Sequence, residues 1–201
     1  VTSQLLPNPG AVASKLIADT IRLWYEANAP WMQVAQEQLQ AGVREVAGKG
    51  SNRQIKDYLE SCWASPDTYR LGGDDTPWCS AFVNWCLLKS GVKGTGSTWS
   101  LSWRNWKGGQ DLGTDPMTAP IGSIVVMTRG KAGSDQGHVA FLYSKEGGKP
   151  HYLGGNQGDG TLANRRSDRV SVCHYPNKVA KVIWPLKSVS APQAWREGRI
   201  V

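Results

Sequence analysis

PWCSAFVNWCLLK, residues 77–89, decides how the rest of the chain is read. Pro77 suits the first turn of a helix, where its missing N–H would have had no partner. Ala81, Phe82, Trp85, Cys86 and Leu88 give the segment an apolar body, and Gly91 stops it. A helix that is apolar nearly all round has to be central. The segment therefore predicts a buried helix that starts at Pro77 or Trp78 and runs to about Lys89. That helix puts two cysteines in different environments. Cys79 lies in the first turn, where free backbone N–H groups and the helix dipole favour a thiolate. Cys86 lies two turns deeper, where neither benefit applies. Cys79 is thus the candidate nucleophile and Cys86 a structural thiol.

Upstream of this helix the pattern is also helical. Residues 1–10 read as a linker broken by Pro7, Pro9 and Gly10. Between Ala11 and Asn28, Val12, Leu16, Ile17, Ile21, Leu23 and Trp24 keep nearly helical spacing. Pro30 opens a second helix that runs to about Gln40, with Trp31, Val34, Ala35 and Leu39 on one face. Ser51 or Asn52 suits the cap of a third, in which Ile55, Tyr58, Leu59 and Cys62 share a face and Cys62 is buried. Residues 65–77 read as a loop. Its Asp74 and Asp75 are either solvated charges or groups that meet a substrate amine.

Downstream, GTGSTWSLSWRNW (94–106) enters a short Trp-bearing helix. The texture changes at Pro120. Ile121–Thr128, His138–Ser144, His151–Gly155, Val170–Tyr175 and Val179–Trp184 read as strands between turn-rich connections. Helices first and antiparallel strands afterwards argue an α+β fold.

The bulk properties exclude several classes. With 201 residues, 40% hydrophobic and 19% charged, the chain suits a single globular core without disulfide staples. No stretch approaches the ~18–20 apolar residues that span a bilayer, so no membrane insertion is expected. VTSQLLPNPG lacks the layout of a signal peptide, so work outside the cytoplasm would need another export route or release by lysis. The net charge of +7 fits either a basic surface or a polyanionic partner. Its Lys and Arg residues are scattered and no nucleic-acid motif is present, so nucleic acid is not an expected partner. A carboxylate-rich cell wall remains. Cys62, Cys79, Cys86 and Cys173 match no zinc spacing, and no metal or cofactor is expected. Ten Trp stand against two Phe. Trp lines carbohydrate and peptide clefts as well as cores, so Trp78, Trp99, Trp103 and Trp106 have both readings.

A thiol nucleophile needs a base and a group that orients the base. His138 opens a strand in QGHVAFLY (136–143), and Asn156 closes the next in YLGGNQG (152–158). Neighbouring antiparallel strands would bring both to one sheet edge, where Asn156 would accept from the His138 ring N–H and hold its tautomer. His151 opens the same strand and is the second choice for that role. Taken singly, each residue also has a plain structural reading: a core thiol, an incidental histidine, a Gly-Gly-Asn turn.

PWCSAFVNWCL (77–87), GHVAFL (137–142) and LGGNQG (153–158), in this order, resemble the CHAP and NlpC/P60 amidase superfamily. WMQVAQEQL, GVREVAGKGSNRQIKDYL, GTGSTWSLSW and VIWP resemble a branch carried by phages and bacteria, so the likeness runs from about Pro30 to Pro185. Two departures are visible. GSIVV (122–126) has Ser123 where the family usually has an acid, and GHVAF replaces GHVGF. The resemblance implies a papain-like α+β fold, with N-terminal helices and the nucleophile helix packed on a C-terminal antiparallel sheet. The catalytic domain would be 30–185, preceded by a linker and helical extension (1–29) and followed by a tail (186–201). It implies peptidoglycan as substrate and hydrolysis of an amide, by an endopeptidase or an N-acetylmuramoyl-L-alanine amidase. Cys79 would be nucleophile, His138 base and Asn156 the third polar residue. The Cys79 and Ser80 N–H groups would serve the oxyanion, with Trp78, Trp103 and Gln157 at the substrate. A monomer is expected, acting in the periplasm or wall of a target bacterium. It would be either a phage lysin or an antibacterial effector, the latter paired with an immunity protein that blocks the cleft. The alternatives are a non-catalytic wall-binding module and a Cys-His acyltransferase or deamidase.

Overall fold

The computed structural model describes residues 19–20, 23–25, 27–46, 50–65, 73–74, 76–130, 134–158, 168–176 and 178–185. The readings for 1–18, Asp75 and the 186–201 tail lie outside the described residues. Among the described residues, α1 (Pro30–Gln40), α2 (Arg53–Glu60) and α3 (Cys79–Lys89) precede the strands. Pro30 stands in the first turn of α1. Of the two candidate caps for α2, Asn52 takes the role, its side chain accepting from the Gln54 N–H at 2.8 Å. A 3-10 helix (Ser100–Asn105) follows α3.

The strands are β1 (Gly109–Asp111), β2 (Ile124–Thr128), β3 (Gly137–Ser144), β4 (His151–Gln157), β5 (Arg169–Cys173) and β6 (Lys178–Pro185). They form one sheet in the order β1-β6-β2-β3-β4-β5, and every pairing is antiparallel. The architecture is α+β, compatible with a papain-like fold. β1 was not expected, because GQD has no apolar alternation. It pairs with the end of β6, where a Cβ on Gly109 would lie 2.5 Å from the Trp184 carbonyl oxygen, so only glycine fits.

Alternation along the strands divides the core in two. Ile124, Val126, Val139, Phe141, Leu153 and Ile183 face the helices, among them Phe82 of α3. Val125, Met127, Ala140, Leu142, Tyr152 and Val182 form the opposite face. α3 lies between α1 and α2 on one side and β3 and β4 on the other, which is why it is apolar all round. Its Phe82 ring meets Tyr58 of α2 at 5.5 Å and Phe141 of β3 at 6.3 Å, edge to face. Upstream of α1, Tyr25 and Ala29 are buried in the same core, and Trp24 lies 6.5 Å from Trp184. Ser123 is fully buried at the start of β2, and its hydroxyl donates to the Pro120 carbonyl at 2.7 Å. The departure from the family acid is thereby a satisfied local turn.

Candidate active site

Cys79 is the first residue of α3 and is 6% exposed. Burial pushes its thiol up from the ordinary value. Against that act the Val139 N–H, the charge of Arg129, and the N–H groups of Ser80 and of Cys79 itself, all of which favour the thiolate. The helix start thus aims backbone donors at the sulfur, as the sequence position required.

β3 brings in His138 one residue from Val139. The strand begins at Gly137, where a Cβ would stand 2.3 Å from Leu101 Cδ2 and 2.8 Å from the Met127 carbonyl. His138 is 1% exposed, and its Nε2 lies 2.9 Å from Gln157 Oε1. The Gln157 amide nitrogen donates to the Ser171 carbonyl at 2.6 Å and the Tyr152 carbonyl at 3.3 Å. Carbonyls only accept, so the amide oxygen is the atom that faces the ring. His138 Nε2 therefore carries the proton, and Nδ1 is the basic nitrogen. Burial pushes the imidazole down to about 3; the Arg129 charge adds to this and the Gln157 bond opposes it. No hydrogen bond joins Cys79 Sγ to the His138 ring. The sulfur meets β3 at the Val139 N–H, on the side of the strand that faces α3, while His138 shares its side with Ala140 and Leu142.

The expected His138–Asn156 contact is not formed. Gly154 pairs with Ser171 and Gln157 with Arg169, so β4 has one residue more than β5 across this interval. This β-bulge reverses the alternation. Asn156 takes the bulge with φ +57° and turns to α3, where its Oδ1 accepts from the Trp78 N–H at 2.8 Å. Its amide nitrogen donates to Asp168. Gln157 swings to the face that Asn156 would have occupied. Gly154 leaves it room, since a Cβ there would lie 2.8 Å from Gln157 Oε1. Gly155 does the same for α3: its Cβ would stand 2.3 Å from Trp78 Cζ3 and 2.8 Å from Phe82 Cβ.

Other expected site residues take structural positions. Trp78 and Trp103 are fully buried and line no open cleft. Trp78 stacks at 5.8 Å on Tyr58 and donates its Nε1–H to Glu45 at 2.9 Å. Trp103 donates to Ser80 Oγ at 2.8 Å, and that hydroxyl donates to the Ser97 carbonyl at 2.7 Å. The Ser80 side chain is therefore occupied, and only its backbone N–H faces the sulfur. Trp106 is half-buried against Trp103, whereas Trp99 is 51% exposed and is tied by Nε1 to the Asp135 carbonyl. Asp74 is buried and accepts the Val46 and Asn52 N–H groups, each at 2.8 Å, so it is neither solvated nor turned to a substrate. His151 packs 5.9 Å from His174 rather than on His138.

Three contributors escaped the sequence reading. The family likeness puts Gln157 at the substrate, although the paired glycines before Asn156 are themselves a bulge signal. The Tyr175 and His138 rings pack edge to face with centroids 5.2 Å apart, and Arg129 lies 5.8 Å over the Tyr175 ring. No pattern in the sequence marks either. The four cysteines are free, and among the described residues no group of three or more His, Cys, Asp or Glu converges.

No curated protein and no solved structure matches the chain. A family model does match. It covers residues 71–156, from just before α3 to the bulge in β4, and so contains Cys79, His138 and Asn156 but stops one residue short of Gln157. The family is that of the CHAP domain, which comprises cysteine peptidases and amidases acting on peptidoglycan. Residues 71–156 thus match the CHAP-domain model, which is consistent with the CHAP and NlpC/P60-like cysteine amidase superfamily.

Proposed function

We propose that this protein hydrolyses an amide bond of the peptidoglycan stem peptide, with Cys79 as nucleophile and Nδ1 of His138 as base. The observation that carries the reading is a helix-start thiol faced by backbone N–H donors, one of them from Val139, whose sequence neighbour His138 has its tautomer held by Gln157. His138 Nδ1 takes the thiol proton, and the sulfur attacks the carbonyl carbon. The Cys79 and Ser80 N–H groups serve the oxyanion, each donor contributing about 3–4 kcal/mol. The imidazolium keeps its Nε2–H on Gln157 and then gives its other proton to the leaving amine. Water hydrolyses the acyl-enzyme and returns the thiol. Burial disfavours both charged forms at rest, so the pair waits neutral and the proton moves during attack. The substrate sets the place of action in the wall or periplasm of a bacterium.

Digestion of purified sacculi tests this. The wild type should release fragments whose masses show addition of water across an amide. Cys79→Ala should release none while keeping the wild-type circular dichroism spectrum. Digestion by a folded Cys79→Ala protein would overturn the assignment. Amine-adduct products would make the enzyme an acyltransferase. Binding without products in the wild type would make it a wall-binding module.

A further inference from the structure

Among the described residues, Arg129 beside the site has no anionic partner. Arg129 follows β2, and its N–H donates to the Gln136 carbonyl at 3.0 Å, closing the hairpin that delivers His138. Its guanidinium lies 5.8 Å over the Tyr175 ring, and that ring meets His138 at 5.2 Å. The residue is half-buried. Among the described residues the guanidinium makes no ion pair and no hydrogen bond. Its charge reaches both members of the pair, favouring the Cys79 thiolate and disfavouring the His138 imidazolium. Left alone it helps one half of the proton transfer and hinders the other.

A guanidinium is a planar fork that matches a carboxylate with two parallel N–H···O bonds. Stacking on Tyr175 restricts its orientation and so lowers the entropy lost on binding. Stem peptides carry free carboxylates close to their amide bonds. We propose that Arg129 anchors a free carboxylate of the stem peptide beside the scissile amide, a specificity that rests on the peptidoglycan reading above. A bound carboxylate also neutralises the cation, removing its effect on the thiolate and on the imidazolium together.

The test uses the full chain and a matched set of defined muropeptides. One carries all its carboxylates free; the others are amidated singly at the glutamyl residue, the diamino acid or the C-terminus. Amidation at one of these positions should lower wild-type kcat/KM about tenfold or more, the scale of one lost charge-assisted bond, and the position identifies the carboxylate. Arg129→Gln should erase the difference between the free and amidated substrates, a ratio that a merely structural role would not move. Arg129→Lys, a point charge without the fork, should keep the preference at a smaller ratio. Equal kcat/KM of the wild type on all members overturns the proposal, as does a preference that survives in Arg129→Gln. A wild type that cleaves no member overturns the peptidoglycan reading itself, and this inference with it.

Discussion

Asn156 and Gln157 are adjacent amides with separate tasks. Gln157 holds the His138 ring, whereas Asn156 holds the backbone at the start of α3. Their variants should therefore fail differently. Gln157→Ala leaves the buried Nε2–H unpaired, a loss of about 1–3 kcal/mol. On the proposed mechanism kcat should fall about 10- to 100-fold, with KM little changed. Gln157→Glu places a charged acceptor on the ring and raises the His138 pKa, so the acid limb of the kcat profile should move to higher pH. Asn156→Ala removes the acceptor from the Trp78 N–H and puts alanine at φ +57°. It should lower unfolding stability by about 1–3 kcal/mol in urea titrations and leave the His138 titration in place. An Asn156→Ala protein whose His138 titration moves as far as that of Gln157→Ala would contradict this division.

At the scale of elements, β4 is built to receive α3 and to cross its own alternation. Leu153 packs into the core, Gly154 makes way for Gln157, Gly155 makes way for Trp78 and Phe82, and the bulge at Asn156 exchanges faces. Gly155→Ala must push α3 away, because a Cβ 2.3 Å from the fully buried Trp78 ring has no space. Overpacking of this kind costs about 1–3 kcal/mol, and it should lower the midpoint of urea unfolding by the corresponding amount. Gly154→Ala meets the buried Ala140 Cβ and the amide end of Gln157, each at 2.8 Å, so it should lower both stability and kcat. Equal stability of Gly155→Ala and wild type would mean that α3 sits farther from β4 than described.

At the scale of the molecule, folding is linked to the protonation of His138. Its folded pKa of about 3 lies below the ordinary 6.5. Above pH 6.5 both states carry a neutral ring and the contribution is complete. As pH falls from 6.5 towards 3, the unfolded chain takes the proton and the folded protein does not. Stability is then lost by at most about 1.4 kcal/mol per pH unit. The linkage is isolated by subtracting the unfolding free energy of His138→Gln from that of the wild type at each pH. The difference should shrink on acidification through this window. A difference that stays flat would show an imidazole that charges freely in the folded state. Cys79 runs in the opposite sense: its raised pKa makes its contribution complete below the ordinary 9.0 and lost as pH rises past it.

Much of this was legible in residue order alone. The first-turn position of Cys79 on a wholly apolar helix separated it from Cys86, because helix ends and helix faces are local properties of spacing. Five of the strands followed from alternation and turn chemistry, which are also local. The motifs that carry the family likeness lie within single elements. What needed the tertiary structure was every statement about which side of a strand meets which neighbour. One extra residue in β4 gave Gln157 the contact with His138 expected of Asn156, since a single-residue bulge reverses all alternation beyond it. Packing of distant segments sank Trp78 and Trp103 into the core and left Trp99 exposed, although all three are the same residue type. Only three-dimensional proximity joined Arg129, Tyr175 and His138, which lie in separate segments of the chain. The sequence by itself determined the helix-start thiol and the α+β order. The face each partner takes, and so the group that holds the base, was decided by strand register and close packing, which couple residues far apart in the chain.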